Sequence, residues 1–496
     1  MPTKDFIIPL LKVEFMKLCM INHSFRYEIE KLIRIFLPFE KIEFLSVREI
    51  SDNTVVTEIK NGKALAELYL SEKVYKKELL IVDSPDYEKE CELKLALSLF
   101  ECFKQATNYT PGWGILTGVR PAKLYSRLSK SMGKRADEYF KNVLKVSDEK
   151  LSLCKETYKG EEKITSLSKE DSFSLYISIP FCPTRCSYCS FVSHSIAQAK
   201  KLIPEYIRLL CKEIEETAKI AKELSLKLET VYIGGGTPTS IEAEQLREIM
   251  QTVKENFNLL SVREYTVEAG RPDTITKEKL EVIKELGATR ISINPQTMND
   301  SVLEAIGRKH SAEDTVSCFL LARKLGFDNI NMDLIAGLPT DTFESFVKTL
   351  ERVLELEPES VTVHSLSMKR SSTLSKEGVL PETEMGKEAS KMVDFARERL
   401  TEKGIVPYYM YRQSKTVGNL ENVGYAKSGF ECLYNVYIMD ETHSILACGA
   451  SAVTKLREPK GDRIERIFNF KYPYEYIDRF DEQIKRKEAI KEFYKF

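Results

Sequence analysis

The segment YISIPFCPTRCSYCSF, residues 176–191, decides how the rest of the chain is interpreted. It begins in the β-rich run FSLYISI and then places Cys182, Cys186 and Cys189 in the spacing C-x3-C-x2-C. The three cysteines therefore follow directly on a predicted strand. Folds that alternate strands and helices keep their chemistry at the carboxyl ends of the strands, so the segment predicts a thiolate site at that end.

Two kinds of metal site fit these three cysteines. Three thiolates can hold three irons of a [4Fe-4S] cluster and leave the fourth iron without a protein ligand. That iron can chelate the methionine amino and carboxylate groups of S-adenosylmethionine (SAM), and one electron passed to the sulfonium then releases a 5′-deoxyadenosyl radical. The alternative is a zinc site with His194 as the fourth ligand. The loop by itself leaves both open.

The composition excludes several other classes of protein. The remaining eight of the eleven cysteines lie far apart, which is typical of buried free thiols and not of a disulfide framework. Lys+Arg 74 against Asp+Glu 75 gives a net charge of -1, so we expect no nucleic-acid partner. The N-terminal run FIIPLLKVEFMKLCM is interrupted by Pro9 and by charged residues, so no membrane span is expected. The chain is predicted to be cytoplasmic, with two or three domains.

From residue 172 short β-branched runs alternate with helical stretches. The six predicted strands are FSLYISI, ETVYIGG, EYTVEAG, RISINPQ, NINMDLI and SVTVHSL. The helical candidates lie near 200–226, 241–256, 276–286, 299–325 and 342–356. Six strands in this alternation predict an α/β fold whose parallel sheet is either doubly wound or rolled into a partial barrel.

The flanking regions predict α+β structure. Before residue 165, helical patterns at 23–36 and 88–105 enclose four β-rich runs that suggest an antiparallel meander. The stretch 107–121 is predicted to be an ordered loop, and the charged segment around 155–170 a linker. The predicted domains are an N-terminal α+β domain (1–165), the barrel (166–375) and a C-terminal α+β region that covers the substrate (376–496), beginning with a helix near 383–403.

A glycine-rich run follows the second predicted strand of this sheet. Gly235, Gly236 and Thr237 belong to the run GGGTPT, whose glycines let main chain approach a ligand closely. No Gly-Lys-Ser/Thr follows, so the run is not a P-loop. A tight strand-to-helix turn is the simpler alternative.

Polar residues end or follow the other predicted strands. Together they predict a polar ring that suits a ribose, an amino group and a carboxylate, with Arg308 binding the carboxylate bidentately. His310 and His364 are placed where they too can face this ring. The other members of the ring are Glu268, Asn294, Gln296 and Asp333.

These motifs resemble the oxygen-independent coproporphyrinogen III oxidase-like radical SAM proteins, and most closely their HemZ branch. The resemblance implies a partial (β/α)6 radical SAM barrel between an N-terminal α+β domain and a C-terminal α+β extension. The core motifs are YISIPFCPTRCSYCSF (176–191), GGGTPT (234–239), TVEAGRPDTI (266–275), RISINPQTMND (290–300), IGRKH (306–310) and NMDLIAGLP (331–339). WGILTGVRP (113–121) and YRQSKTVGNLENVGYA (411–426) resemble the HemZ branch.

The resemblance also implies roles for single residues. Cys182, Cys186 and Cys189 would bind the [4Fe-4S] cluster, and Tyr176, Ser178 and Arg308 are the candidate catalytic residues. The positions that match the SAM site are Tyr176, Gly235, Gly236, Thr237, Glu268, Gln296, Arg308 and Asp333.

The reaction of the family is the oxidative decarboxylation of two propionates of coproporphyrinogen III to vinyl groups. The adenosyl radical would abstract a hydrogen atom β to each ring, CO2 would leave, and an acceptor would take the electron. The implied partners are a porphyrinogen or haem as substrate, and reduced flavodoxin or ferredoxin as electron donor.

Two departures from the oxidase pattern keep other functions open. The oxidases resemble C-x3-C-x2-C-x-C, but Phe191 stands at the last position, as in the haem chaperones of the family. Ser178 stands where the oxidases have a histidine. A haem-binding chaperone-like protein and a radical SAM haem methyltransferase that opens the ring are therefore the alternatives. The chaperones resemble HNxxYW near the C-terminus, and GNLENVGYA lacks that histidine and tryptophan, which disfavours the first.

Overall fold

The computed structural model describes residues 15–38, 40–189, 193–367, 383–413 and 416–495. The chain divides into two compact units, one made of Met1–Lys155 with Arg412–Lys415 and the other of Glu156–Tyr411 with Thr416–Phe496. Phe191, one of the two departures noted above, lies outside the described residues. None of the described helices is long and apolar enough to cross a membrane.

The first unit contains a five-stranded sheet in the order β2-β1-β3-β4-β5. Its strands are β1 (Phe15–Ile21), β2 (Lys41–Leu45), β3 (Thr54–Lys60), β4 (Lys63–Leu70) and β5 (Lys73–Leu80). The antiparallel meander is confirmed for β3, β4 and β5. It is wrong for β2, which pairs in parallel with β1, because β1 lies between β2 and β3 and pairs in parallel with both.

The second helix of the first unit packs against this sheet. Buried Leu95, Leu99 and Phe103 of the second helix lie opposite the buried alanines of β4, and the predicted loop 107–121 is confirmed between the second and third helices. The helices are α1 (Arg26–Phe36), α2 (Tyr87–Thr107), α3 (Pro121–Met132) and α4 (Arg135–Glu138), which a π-helical turn (Tyr139–Val143) follows.

The predicted linker around 155–170 is wrong over most of its length. Helix α5 runs over Asp148–Thr165. Its buried residues, which include Leu151, Cys154 and Ile164, recur at helical spacing, while the lysines and glutamates that suggested a linker lie mostly on its other faces. High charge alone therefore does not distinguish a linker from a helix with one buried face.

The second unit contains an eleven-stranded sheet and a separate two-stranded sheet, which the second and third strands of the unit form. Its strands are β6 (Ser172–Ile179), β7 (Phe181–Cys182), β8 (His194–Ser195), β9 (Lys227–Gly235), β10 (Glu264–Glu268), β11 (Arg290–Ser292), β12 (Ile330–Ala336), β13 (Ser360–Ser365), β14 (Val406–Arg412), β15 (Glu421–Ala426), β16 (Ser444–Cys448), β17 (Val453–Arg457) and β18 (Ile464–Phe468). All six predicted strands are confirmed: β6 and β9 to β13 lie side by side in chain order, and each neighbouring pair is parallel.

Helices follow the strands as the alternation predicts. They are α6 (Ile196–Ala199), α7 (Ile203–Glu223), α8 (Ala243–Asn256), α9 (Lys277–Glu285), α10 (Asp300–Ala305), α11 (Ala312–Lys324), α12 (Phe343–Glu355), α13 (Thr383–Glu402), α14 (Leu433–Asp440), α15 (Pro473–Asp478) and α16 (Phe480–Tyr494). The single helix predicted over 299–325 is two helices, because Gly307 with φ +77° follows α10 and redirects the chain. This break places Arg308 in a loop.

The C-terminal residues extend the same sheet at both ends. β15 pairs antiparallel with β13, and β14 lies outside it. At the other end β16 pairs in parallel with β6, and β17 and β18 follow antiparallel. Among the described residues the order runs from β14 to β18 without closing on itself. The predicted α/β fold with a partial barrel of six parallel strands is confirmed.

Candidate functional site

The cysteine loop begins at the carboxyl end of β6. Cys182 lies in β7, which pairs in parallel with β8, and Cys186 is buried while Cys182 and Cys189 are partly exposed. The Cys189 N–H donates to the Cys186 carbonyl at 3.1 Å, which closes a turn between these two cysteines. Burial raises the pKa of the Cys182 thiol, and the hydroxyl of Thr237, 3.5 Å from its sulfur, opposes that shift.

Glycines bring the end of β9 against this loop. A Cβ on Gly236 would lie 2.6 Å from the Phe181 carbonyl oxygen and 3.0 Å from the Cys182 sulfur. Gly235 has φ +112°, and its Cβ would lie 2.9 Å from Oγ of the buried Ser178. A side chain at either position would displace the cysteine segment, so the glycines are required for this close approach.

Three tyrosines form an aromatic wall inside the barrel. The ring of Tyr176 is stacked 6.2 Å from that of Tyr232 and 6.0 Å from that of Tyr434, and the last two rings are 4.4 Å apart. Tyr176 and Tyr232 are register partners on β6 and β9. Tyr434 comes from α14.

Glu268, the last residue of β10, is partly buried beside this wall. The Tyr232 hydroxyl donates to its Oε1 at 2.5 Å. Burial raises the pKa of Glu268 to about 7, and the nearby Asp333 carboxylate adds to the shift, while the Tyr232 bond, Arg290 and His364 oppose it. Near neutral pH, Glu268 can therefore either hold a proton or carry a charge.

Asp333 of β12 lies diagonally across from His364 of β13, since its register partner is Thr362. Asn331 Nδ2 donates to Asp333 Oδ1 at 2.7 Å, and His364 Nε2 is 3.7 Å from Asp333 Oδ2. The other ring nitrogen of His364 is 3.4 Å from the Tyr411 hydroxyl. Burial raises the pKa of Asp333, but His364 and Asn331 outweigh it, so the pKa lies below its ordinary value.

Gln296 follows β11 in a strained conformation. Its φ is +67°, its side chain is buried, and its N–H donates to the Asp333 carbonyl at 2.9 Å. Its own carbonyl accepts from the N–H of Ile335 at 3.0 Å. A positive φ at a non-glycine residue is costly, and such strain is common at binding sites.

Arg308 connects the cysteine loop to the strand ends. Its Nη1 donates to the Asn294 carbonyl at 2.7 Å and its Nη2 to the Tyr188 hydroxyl at 3.3 Å. Its Nε is buried and has no partner among the described residues. Both Nη groups of Arg308 already bond to protein oxygens, so the guanidinium is held in place within the protein and its Nε–H is free for a ligand.

Tyr232, Arg271 and Tyr434 are side chains of this site that the sequence analysis does not single out. Arg271 lies against Cys186, and its place in TVEAGRPDTI, three residues after Glu268, was a usable signal. Tyr434 had none, because α14 reaches the barrel only through long-range contacts.

Comparison with known proteins agrees with this geometry. A model of the radical SAM superfamily matches residues 176–353. The oxygen-independent coproporphyrinogen-III oxidase-like protein HemZ of Bacillus subtilis (strain 168) is 41% identical over 77% of this chain and 78% of its own length. The chain belongs to the oxygen-independent coproporphyrinogen III oxidase-like radical SAM family. The match to HemZ agrees with the branch that the sequence motifs suggested.

Two further relatives of this radical SAM family differ in what their names say. The heme chaperone HemW of Bacillus subtilis is 34% identical over 56% of this chain and 70% of its own length. The coproporphyrinogen III oxidase HemN of Escherichia coli, a solved structure, superposes with a TM-score of 0.51 at 26% identity, covering 65% of this chain and 72% of HemN. The family thus includes oxidases and chaperones.

Radical SAM proteins use a [4Fe-4S] cluster and SAM, and the site fits both. Hydrogen-bond donors reach the sulfurs of Cys182 and Cys186, which stabilises thiolates. No three His, Cys, Asp or Glu side chains converge on a single-ion position within the part of the chain that the structure describes. His194, the fourth ligand of the zinc alternative, instead has its ring edge-on to Tyr472 and Tyr474. Membership of the radical SAM family identifies the cluster, and not zinc, as the group that these cysteines hold.

Proposed function

We propose that the protein is a radical SAM oxidoreductase that decarboxylates the propionates of coproporphyrinogen III without oxygen. One observation carries the proposal: the cysteine loop, the glycine run and Glu268 lie at the carboxyl ends of the neighbouring parallel strands β6, β9 and β10, and the Asp333 carboxylate of β12 is close enough to Glu268 to raise its pKa. The names of the relatives HemZ and HemN supply the substrate class.

The residues of the site divide into anionic and cationic groups that complement SAM. Bound SAM and the cluster would together supply the 5′-deoxyadenosyl radical that takes a hydrogen atom from the substrate. Asp333, ionised at neutral pH, and Glu268 attract the positive sulfonium and ammonium groups, while Arg308 Nε can donate to the carboxylate. The wall of Tyr176, Tyr232 and Tyr434 offers a flat apolar surface to an adenine or a pyrrole ring.

The C-terminal region adds two side chains to this site. Tyr411 of β14 reaches His364, and Tyr434 of α14 stacks on Tyr232. These contacts support the proposal that residues 376–496 cover the substrate. The proposed domains are the N-terminal domain (1–165), the barrel (166–375) and this covering region (376–496). We further propose reduced flavodoxin or ferredoxin as the electron donor, a cytoplasmic location and no nucleic-acid partner.

A haem-binding function is the second candidate. The heme chaperone HemW of Bacillus subtilis is a relative that shares 34% identity with this chain. Ser178 supports it as well, because the histidine of the oxidase pattern is missing. A methyltransferase that opens the haem ring would keep the same cofactors and give a third product.

Product analysis separates these functions. The full chain is reconstituted anaerobically with iron and sulfide, reduced with dithionite, and given SAM and coproporphyrinogen III. We expect 5′-deoxyadenosine together with CO2 and a vinyl-bearing porphyrinogen in the wild type. Cys186→Ala should abolish all three, whereas Cys211→Ala, which removes a buried thiol from α7, should abolish none.

Other outcomes select among the alternatives. Deoxyadenosine without decarboxylation would contradict the proposed substrate, and an opened tetrapyrrole formed from haem would then support the third function. Stoichiometric haem binding without turnover would support the chaperone-like function. No cluster and no SAM cleavage in the wild type would refute all radical chemistry here.

A further inference from the structure

Arg271 is a buried cation beside the cysteine loop, and it has no role in the SAM or substrate binding proposed above. It lies just after β10 and is 4% exposed. Its Nη1 donates to the sulfur of Cys186 at 3.5 Å, and its Nη2 donates to the Thr184 hydroxyl at 3.1 Å. The guanidinium therefore contacts both a cysteine sulfur and the loop that carries it.

Asp273 fixes this guanidinium in place. Its two carboxylate oxygens accept from Nε and Nη2 of Arg271 at 2.9 and 2.7 Å. His310 Nδ1 lies 3.7 Å from the same carboxylate. Burial raises the pKa of Asp273, but His310 and Arg271 more than offset it and hold this pKa well below its ordinary value. Asp273 is thus a permanent counter-charge to Arg271.

We propose that Arg271 is a positioning residue that sets the reduction potential of the iron–sulfur cluster through Cys186, with Asp273 as the opposing charge. The inference rests on the part of the proposed function that makes Cys186 a cluster ligand. Reduction adds one electron, supplied by dithionite or the donor protein, so the reduced cluster carries more negative charge. A cation and a hydrogen bond at a ligand sulfur stabilise that state and raise the potential.

The charges of the pair predict shifts of opposite sign. Arg271→Gln removes the cation, so the midpoint potential should become more negative. Asp273→Asn removes the counter-charge, while the amide oxygen can still accept from Arg271 and the Thr184 contact remains, so the guanidinium stays beside the sulfur and the potential should become more positive. General loosening of the loop would move both variants in the same direction, which makes the sign the decisive observation.

An anaerobic redox titration followed by electron paramagnetic resonance measures the potential directly. It uses the reconstituted full chain without SAM or substrate, with iron and sulfide content determined for each variant. Arg247→Gln is the matched control, because Arg247 also makes a bidentate pair with a carboxylate, Glu285, at 2.9 Å through both Nη groups, but on the exposed surface. Its potential should equal that of the wild type.

Three outcomes overturn the inference. They are an unchanged potential in fully loaded Arg271→Gln, shifts of the same sign in the two variants, or a shift in the Arg247→Gln control as large as theirs. Where Arg271→Gln does not load a cluster, the sign for Asp273→Asn decides. Since no substrate is present, a failed decarboxylation assay would leave this result intact, whereas absence of any cluster signal would remove its basis.

Discussion

The two ends of β10 carry the same side chain in opposite circumstances. Glu264 is the first residue of the strand and Glu268 the last, and their spacing of four places both on one face. Glu264 is 4% exposed and accepts from the thiol of Cys432 and the N–H groups of Leu433 and Tyr434, at 3.3, 2.7 and 3.3 Å. Glu268 accepts from Tyr232 at 2.5 Å and is partly exposed.

This difference separates a structural acid from a binding acid. Glu264 accepts from main-chain N–H groups at the N-terminus of α14. An acidic side chain is also favourable there because the N-terminal end of a helix dipole is positive. Glu268 lacks comparable donors, so burial raises its pKa to about 7. A carboxyl group left short of donors at the carboxyl end of a parallel sheet is available to a cationic ligand.

Removing the carboxyl group of Glu264 should destabilise the fold far more than removing that of Glu268. Glu264→Ala leaves three buried donors without an acceptor, so we expect the free energy of unfolding to fall by about 3 kcal/mol. Glu268→Ala leaves the Tyr232 hydroxyl free to turn towards water, and a much smaller loss is expected. Urea unfolding followed by far-ultraviolet circular dichroism measures both. Equal losses would show that Glu268 also has a structural role.

A second prediction concerns the affinity for SAM as a function of pH. Below its pKa of about 7 Glu268 is neutral, and above it the carboxylate attracts a cation. Between pH 6 and 8 the ionised fraction rises from about a tenth to about nine tenths, so affinity should rise with pH by up to about tenfold. Anaerobic equilibrium dialysis with labelled SAM measures this.

Glu268→Gln is the control for that titration, since it keeps the shape and removes the charge. It should bind SAM more weakly at pH 8 and show a flat profile through neutral pH. The stability of the wild type should change with pH in the direction opposite to its SAM affinity. The folded protein favours the protonated form of Glu268, so the free energy of unfolding falls as pH rises from about 4.5 to about 7. A SAM profile in the variant that still rises with pH would assign the titration to another group.

Of these two glutamates, only Glu268 can be recognised as a site residue from the sequence. The six strands and the helix after each follow from local periodicity, and the cysteine spacing identifies the loop that holds the cluster. Glu268 is recognisable because it ends a strand. Nothing local to Glu264 indicates its role, because its partners lie about 170 residues later in α14.

Local signals also fail where tertiary packing overrides them. The charged residues of α5 suggested a linker, although its buried positions recur at helical spacing. β2 looked like the first strand of a meander, but β1 separates it from β3. Arg271 lies in the motif TVEAGRPDTI, but its burial and its 3.5 Å contact with Cys186 become visible only in the folded chain.

His443 and His364 differ in the same way as the two glutamates, with a smaller expected difference in stability. His443 is buried, with its ring nitrogens 2.7 Å from the Ser168 hydroxyl and 2.8 Å from that of Ser174, whereas His364 is 27% exposed and both of its contacts are longer than 3.3 Å. His443→Gln should therefore cost about 1 kcal/mol of stability, and His364→Gln less than about 0.5 kcal/mol.

The pH dependence of the free energy of unfolding should also distinguish His443 from His364. Burial lowers the pKa of His443 to about 3, below its ordinary value of 6.5, so the unfolded chain binds the proton more readily. The stability contributed by neutral His443 is complete above pH 6.5 and is lost as pH falls towards 3. Urea unfolding at pH 7 and pH 5 should show this loss in the wild type and in His364→Gln, and a smaller one in His443→Gln. An unchanged loss in His443→Gln would mean that other groups titrate, and the distinction between the two histidines would fail.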